Sequence, residues 1–169
     1  MNIGIVGTGS IAHTMAKEFA RPTTMPVVAV CSRNADTGIA MAHEFNIPIS
    51  KVYTEYDEML ADSEVELVYI ATPNSLHFEQ AKAALLAGKH VLCEKPMAMN
   101  YEEAKKMIEA RDKSGKILTI GYQNRFRKEA MYLKDLADQD YFGEIYYAEA
   151  IAIRRRAVPT WGVFIDEEK

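Results

Sequence analysis

The sequence predicts an α/β fold, a doubly wound parallel sheet followed by an incomplete α+β second domain. Three observations lead there. Short apolar runs alternate with amphipathic ones through Ile120, joined by short connections, as in parallel strands linked by crossover helices. A glycine turn, Gly7-Thr8-Gly9-Ser10-Ile11-Ala12, separates the first apolar run from the first amphipathic one. Past Ile120 the alternation gives way to one helix and one long β-rich run. The division falls at residue 121: a first domain over 1–121, then a linker helix, strand and loop over 122–169 that begin a second domain without completing it.

Ile3, Ile5 and Val6 make a short buried strand, and Ile11, Ala12, Met15, Ala16 and Phe19 line the apolar face of the next helix. Between them, Gly7-x-Gly9-x-x-Ala12 has the spacing of a dinucleotide site. Gly7 allows the tight turn, Gly9 lets the backbone approach a pyrophosphate, and Ala12 keeps helix and strand close. The helix amino end offers free N–H groups and a positive dipole end to the anion. A tight strand-to-helix turn with no ligand is the competing reading. The strand before the motif and the amphipathic run after it favour cofactor binding.

Arg21-Pro22 and Pro26 bracket a loop, and Val27-Val28-Ala29-Val30-Cys31 is the second strand. Asn34 is placed to cap a helix running through Phe45. In NAD-selective folds an acid at the end of this strand binds the ribose 2′-OH. Ser32 and Arg33 stand there instead, and the first acid, Asp36, falls in the next helix turn, where the dipole alone explains it. Ser32 and Arg33 suit a 2′-phosphate, which leans the NAD(P) cofactor toward NADP. An Arg33 stacked on the adenine leaves either form possible.

A short strand around 49–52 and a helix near 56–61 follow. Glu66-Leu67-Val68-Tyr69-Ile70-Ala71 is a fourth strand, apolar enough to be covered on both faces. It ends in Thr72-Pro73-Asn74-Ser75, ahead of a helix over 76–87 that Gly88 stops. His90-Val91-Leu92-Cys93 is the fifth strand and runs into Glu94-Lys95-Pro96. Asn100 caps a helix over 101–113, Gly115 terminates it, and 116–120 makes the sixth strand. A doubly wound sheet carries its site at the carboxyl ends of the strands. The loops beginning at Gly7, Ser32, Thr72, Glu94 and Gly121 all fall there. Beyond them, 129–137 suits a helix with Met131, Leu133 and Leu136 as its apolar positions, and 144–153 reads as a strand. Such a strand needs partners or a covering layer, from the first domain or from another copy of the chain.

Bulk properties exclude several roles. Apolar content of 49% and charged content of 26% are ordinary for a globular protein. Against 24 Asp and Glu stand 20 Lys and Arg, a net charge of −4 without a long basic run, so neither nucleic acid nor a membrane surface has electrostatic support as a partner. The triplet Arg154-Arg155-Arg156 is too short to change that. No apolar stretch approaches the ~18 residues of a membrane span, and a strand at the amino terminus leaves no room for a signal peptide. Cys31 and Cys93 lack metal-ligand spacing and read as reduced, partly buried thiols of a cytoplasmic protein.

With Glu94-Lys95-Pro96 in place, the sequence resembles the Gfo/Idh/MocA family of nicotinamide-dependent sugar and polyol oxidoreductases. The glycine turn carries part of the match, as do Ala71-Thr72-Pro73-Asn74 with His77 and the run Ala87-Gly88-Lys89-His90-Val91-Leu92-Cys93-Glu94-Lys95-Pro96. Gly121-Tyr122-Gln123-Asn124-Arg125-Phe126 and a Trp161 after an Arg-containing strand complete it. The resemblance implies a Rossmann domain that binds NAD(P), and hydride transfer with a sugar- or polyol-type hydroxyl or carbonyl. It puts Ser10 and Ile11 at the pyrophosphate and Arg33 at the adenosine end. Thr72, Pro73, Asn74 and His77 would border the ribose and nicotinamide, and Glu94 and Lys95 the nicotinamide ribose. Lys95, the catalytic candidate, would reach the substrate hydroxyl. In such enzymes the Lys-Pro bond is often cis, which would turn the lysine into the cleft. Asn124, a further cofactor-binding candidate, and Arg125 would lie where two domains meet. Lys128 stands near a position where the family often has proline, a change confined to the start of the next helix.

Plainer readings stand beside these. His77 one turn into a helix also fits a surface histidine or a cap on a neighbouring loop, and Lys95 a solvated lysine. Trp161 would line a pocket or cover a core edge. His13, His43 and His90 read as structural or exposed, and Tyr146, Tyr147 and Ile151 as sheet or interface contacts. Family enzymes continue past this Trp to an Asp and a His that orient the substrate and move its proton. The expectation is an oxidoreductase of which this chain is the cofactor-binding part, turning over poorly alone and self-associating through its β-rich run. The alternative is a non-catalytic dinucleotide-binding module, because the resemblance also covers regulators that bind cofactor without reducing anything.

Overall fold

The computed structural model describes residues 1–21, 25–151 and 153. The chain divides into two compact units, Met1–Gly121 and Tyr122–Lys169. The first runs β1 (Ile3–Val6), α1 (Ser10–Phe19), β2 (Val27–Cys31), α2 (Ala35–Phe45), β3 (Val52–Tyr53), α3 (Tyr56–Ala61), β4 (Leu67–Ile70), α4 (His77–Leu86), β5 (His90–Cys93), α5 (Tyr101–Ser114) and β6 (Leu118–Ile120). Its six strands form one sheet in the order β3-β2-β1-β4-β5-β6, and every neighbouring pair is parallel. This is the doubly wound α/β sheet that the alternation predicts. The order reverses direction between β1 and β4, the switch point at which such sheets bind ligands.

Side-chain alternation divides the core in two. Ile3, Ile5, Val30, Leu67 and Tyr69 face Ala12 and Ala16 of α1 and Met41 and Ala42 of α2. Val6, Ala29, Cys31, Val68, Ile70, Val91 and Cys93 face α3, α4 and α5 through Met59, Leu60, Phe78, Ala81, Leu85, Met107 and Ala110. Strands covered on both faces read as nearly continuous apolar runs, which is why β4 is legible without any alternation. The helix boundaries follow from caps. Asn34 Oδ1 accepts from the Asp36 N–H at 2.8 Å, so Asp36 has the first-turn place expected of it. Asn100 Oδ1 accepts from the Glu103 N–H at 3.0 Å while the Glu103 carboxylate accepts from the Met99 N–H at 3.1 Å. Gly115, at φ +64°, closes α5 in the left-handed conformation.

The third strand departs from expectation. Residues Ile49–Lys51 form a 3-10 turn after Pro48, closed by the Lys51 N–H on the Pro48 carbonyl at 2.8 Å, and only Val52–Tyr53 pair with β2. Lys51 ties this corner down: its Nζ donates to Asp62 at 2.9 Å and to Glu64 at 2.9 Å, and the Tyr53 hydroxyl also donates to Asp62 at 2.9 Å.

In the second unit a 3-10 turn, Gln123–Phe126, precedes α6 (Lys128–Asp138). Lys128 is the first helical residue, the slot where proline also fits, so the departure from the family pattern costs the helix nothing. Residues 144–151 and 153, expected as a strand, form none: Tyr146 is 95% and Ile153 89% exposed. A strand needs a ladder partner, and none is present among the described residues. Trp161 and Arg154-Arg155-Arg156 lie outside the described residues. Among the described residues no helix is long and apolar enough to cross a membrane.

Candidate functional site

The carboxyl edge of the first unit's sheet collects the candidate residues. Gly7 follows β1 with φ +97°, and its N–H donates to the Cys31 carbonyl at 2.9 Å. Gly9 is different. Its φ is −80°, open to any residue, and a Cβ there would meet nothing within 4 Å. It is the N-cap of α1, yet no side chain caps the helix and no acid occupies the first turn. The amides at Ser10 and Ile11 and the positive dipole end therefore remain available to an anion. Both residues are exposed.

At the end of β2, Ser32 is buried and Arg33 exposed. The Ser32 hydroxyl shares a bond with Thr37 Oγ1 at 2.8 Å and with Thr8 Oγ1 at 3.3 Å, and Thr8 reaches Thr37 at 3.1 Å. Thr37 passes the chain on to the Asn34 carbonyl at 2.9 Å. These hydroxyls join the glycine turn to the β2–α2 loop. Sequence reasoning missed Thr8 and Thr37, because neither spacing nor charge marks them.

After β4, Thr72, Pro73 and Asn74 lead through a 3-10 turn into α4, and the Thr72 hydroxyl donates to Gln80 Oε1 at 2.6 Å. His77 is fully buried, with Nδ1 2.7 Å from the Pro96 carbonyl and Nε2 3.0 Å from the Thr72 carbonyl. Both partners are carbonyl oxygens, so the ring donates its N–H to one of them and sits between the two loops. Of its sequence readings, the cap on a neighbouring loop describes this geometry. His13 bonds Glu44, His90 Nδ1 accepts from the Ile117 N–H at 3.0 Å, and His43 is exposed, as expected of all three.

Beyond β5 stand Glu94 and Lys95, and the Lys95–Pro96 bond is cis. The Glu94 N–H extends the ladder to Ile70 O at 2.9 Å. Glu94 Oε1 accepts from the Tyr69 hydroxyl at 2.8 Å, and Oε2 from the Lys95 N–H at 3.3 Å. Burial, and then the bond to Glu94, pushes the Tyr69 hydroxyl pKa far above its ordinary value. Lys95 is exposed, and its ammonium has no hydrogen bond or ion pair among the described residues. The thiols are inert by contrast: burial first, then Glu94, pushes Cys93 up to about 12, and burial, then Glu55 and Glu58, pushes Cys31 up to about 11. Both are free and buried.

Asn124 belongs to the second unit, where its carbonyl accepts from the Arg127 N–H at 3.4 Å and neighbouring Arg125 lies 5.1 Å over the Tyr122 ring. Among the described residues no group of His, Cys, Asp and Glu is arranged to hold a metal ion.

Residues 1–122 match the model of an oxidoreductase family with an NAD-binding Rossmann fold. D-glucoside 3-dehydrogenase of Escherichia coli is 33% identical over 169 residues, which is 99% of this chain and 48% of that protein. The WlbA dehydrogenase from Bordetella pertussis, solved with NADH and UDP-GlcNAcA, superimposes with a TM-score of 0.79 at 30% identity over 86% of this chain and 42% of that one. Scyllo-inositol dehydrogenase from Lactobacillus casei, solved with NAD(H) and scyllo-inositol, gives 0.76 at 27% identity over 85% and 42%. The chain spans about half the length of the curated relatives it matches, or less.

Proposed function

The chain belongs to the Gfo/Idh/MocA oxidoreductases, a family with an NAD-binding Rossmann fold, and on that premise we propose that it is the cofactor-binding part of a dehydrogenase of sugar- or polyol-type hydroxyls or carbonyls. One observation carries the reading. The uncapped amino end of α1, open above Gly9, shares a sheet edge with the Glu94-Lys95 loop. The space above Gly9 fits a pyrophosphate, which the first-turn amides of Ser10 and Ile11 would hold. Arg33 serves the adenosine end, Thr72, Pro73 and Asn74 border the ribose and nicotinamide, and the Glu94 carboxylate takes ribose hydroxyls. Asn124 is assigned to the cofactor by resemblance alone. Buried as it is, His77 supports these loops from below.

When bound, the nicotinamide supplies the hydride acceptor or donor. Lys95 is the group of this chain that meets the substrate oxygen and handles its proton, because its ammonium is exposed and uncommitted. For the cofactor, NAD(H) has the better support: the family description and two solved relatives carry it. The lean to NADP rests on Arg33 alone once the Ser32 hydroxyl is tied to Thr37 and Thr8.

The glucoside and inositol dehydrogenases among the relatives support a sugar or polyol substrate. The exposed run through Ile145, Tyr146, Tyr147, Ile151 and Ile153 supports self-association, and the two free thiols accord with a cytoplasmic setting. Fluorescence titration with NADH and NADPH, followed by a hydride-transfer assay on a panel of sugars and polyols, tests the reading. Saturable NADH binding with turnover far below that of an ordinary dehydrogenase is the expected result, and ordinary dehydrogenase rates would sink the reading of the chain as a part. Binding without turnover favours the non-catalytic module, and no binding sinks both.

A further inference from the structure

Tyr69 is the one polar-tipped side chain among the four residues of β4, Leu67, Val68, Tyr69 and Ile70. Its ring is fully buried and packed edge-on against Phe19 of α1, with centroids 5.7 Å apart. A buried phenol needs a partner for its O–H. Tyr69 pairs with Leu92 in the sheet register, so Glu94, two residues on and just past the end of β5, stands on the same face. Its carboxylate receives the hydroxyl at 2.8 Å. From the other side, Gly121 leaves room for the same carboxylate: a Cβ there would lie 3.2 Å from Glu94 Oε1. The Gly121 N–H, bonded to the Cys93 carbonyl at 2.8 Å, fixes that backbone in place. A carboxylate donated to from below and walled by backbone at its side has few orientations left.

We propose that Tyr69 is a positioning residue for ribose recognition: it aims the Glu94 carboxylate so that its remaining lone pairs face the diol of the cofactor's nicotinamide-side ribose. The proposal rests on the cofactor reading above. Tyr69 itself touches no ligand. The Oε1 atom spends one lone pair on the tyrosine and Oε2 one on the Lys95 N–H at 3.3 Å, which leaves acceptor capacity on both oxygens for the two hydroxyls of a diol.

The test uses the 169-residue chain and calorimetric titration with three ligands: ADP, ADP-ribose and NADH. ADP lacks the second ribose; the other two carry it. Wild type should bind ADP-ribose and NADH more tightly than ADP. Tyr69→Phe, which keeps the ring and deletes the hydroxyl, should weaken ADP-ribose and NADH by roughly five- to tenfold and leave ADP within about twofold. In a Glu94→Ala background Tyr69→Phe should add almost nothing, because no carboxylate is left for the hydroxyl to aim. Gly121→Ala, which crowds the carboxylate and leaves Tyr69 intact, should reproduce the same ligand pattern and carries the test if Tyr69→Phe does not fold. Equal weakening of all three ligands, full additivity with Glu94→Ala, or no change would overturn the proposal. A wild type that binds none of them, or binds ADP-ribose no better than ADP, would instead overturn the cofactor reading beneath it.

Discussion

A Cβ on Gly7 would lie 2.7 Å from the carbonyl oxygen of Ala71. The glycine turn thus passes too close to the end of β4 for any side chain, and the φ of +97° adds a second reason for glycine. Gly9, two residues on, meets neither constraint. Nothing in the fold around it requires a glycine.

The two glycines therefore separate under substitution. Gly7→Ala should lose about 1–3 kcal/mol for its backbone conformation alone, and more for the overlap with Ala71. Gly9→Ala should keep its urea midpoint and lose NADH affinity by roughly tenfold or more, because the methyl occupies the approach to the α1 amides. A Gly9→Ala variant that binds NADH like wild type would remove the pyrophosphate from this turn.

His77 makes its contribution inside the protein. Replacing it with Phe keeps most of the ring volume and removes the N–H that serves one of the Thr72 and Pro96 carbonyls, whose distances to the ring are 3.0 and 2.7 Å. A carbonyl left without its donor costs on the order of 1–3 kcal/mol where water does not reach it. Urea unfolding should register that loss with m unchanged. A midpoint equal to wild type would mean that water replaces the imidazole.

These two cases mark the reach of the sequence. The glycine turn, the caps at Asn34 and Asn100, and strands β4 and β5 are local patterns, and each lies where spacing predicts it. Long-range pairings left no such trace. Tyr69 and Glu94 are 25 residues apart, and His77 meets Pro96 across 19, so only the folded sheet joins them. β3 begins only at Val52 because a 3-10 turn after Pro48, tied down by the Lys51–Asp62 pair, takes up Ile49–Lys51. The apolar run after Gly143 has strand character in its residues, but a ladder requires a second strand that local pattern cannot supply.

Asp62 makes the acid limb of stability predictable. Burial pushes its carboxyl up, but the bonds from Lys51, the Glu64 N–H and Tyr53 outweigh that and hold it below the usual carboxylate range. A depressed folded pKa stabilises above the unfolded value, about 3.9, and that contribution is lost as pH falls through the folded one. The Lys51 ammonium, pushed up chiefly by its bonds to Asp62 and Glu64, contributes below about 10.4 and loses its share as pH rises through its folded value. Asp62→Asn should thus lower the urea midpoint at pH 7, and the gap to wild type should close below about pH 4. A gap independent of pH would assign the effect to packing.

Cys31 and Cys93 supply a check on the core. Attack on a disulfide reagent requires thiolate, and burial holds the two thiols at about 11 and about 12. In native buffer at pH 8 neither should react on the timescale of minutes. In denaturant both should titrate, giving two thiols per chain. Fast native labelling would indicate an opened α3–α5 face.

Lys95 tests chemistry apart from folding. Its ammonium is exposed and unpaired among the described residues, so no contact among them depends on the charge. Lys95→Met should therefore leave the unfolding midpoint and NADH affinity close to wild type. Hydride transfer should fall by about 10²- to 10⁴-fold, the usual worth of a positioned proton-transfer group. Stability and binding serve as internal controls, since a damaged loop would lower all three together. Turnover retained at the wild-type rate would move the proton-handling role to another residue, and a loss of NADH affinity would make Lys95 a cofactor ligand first.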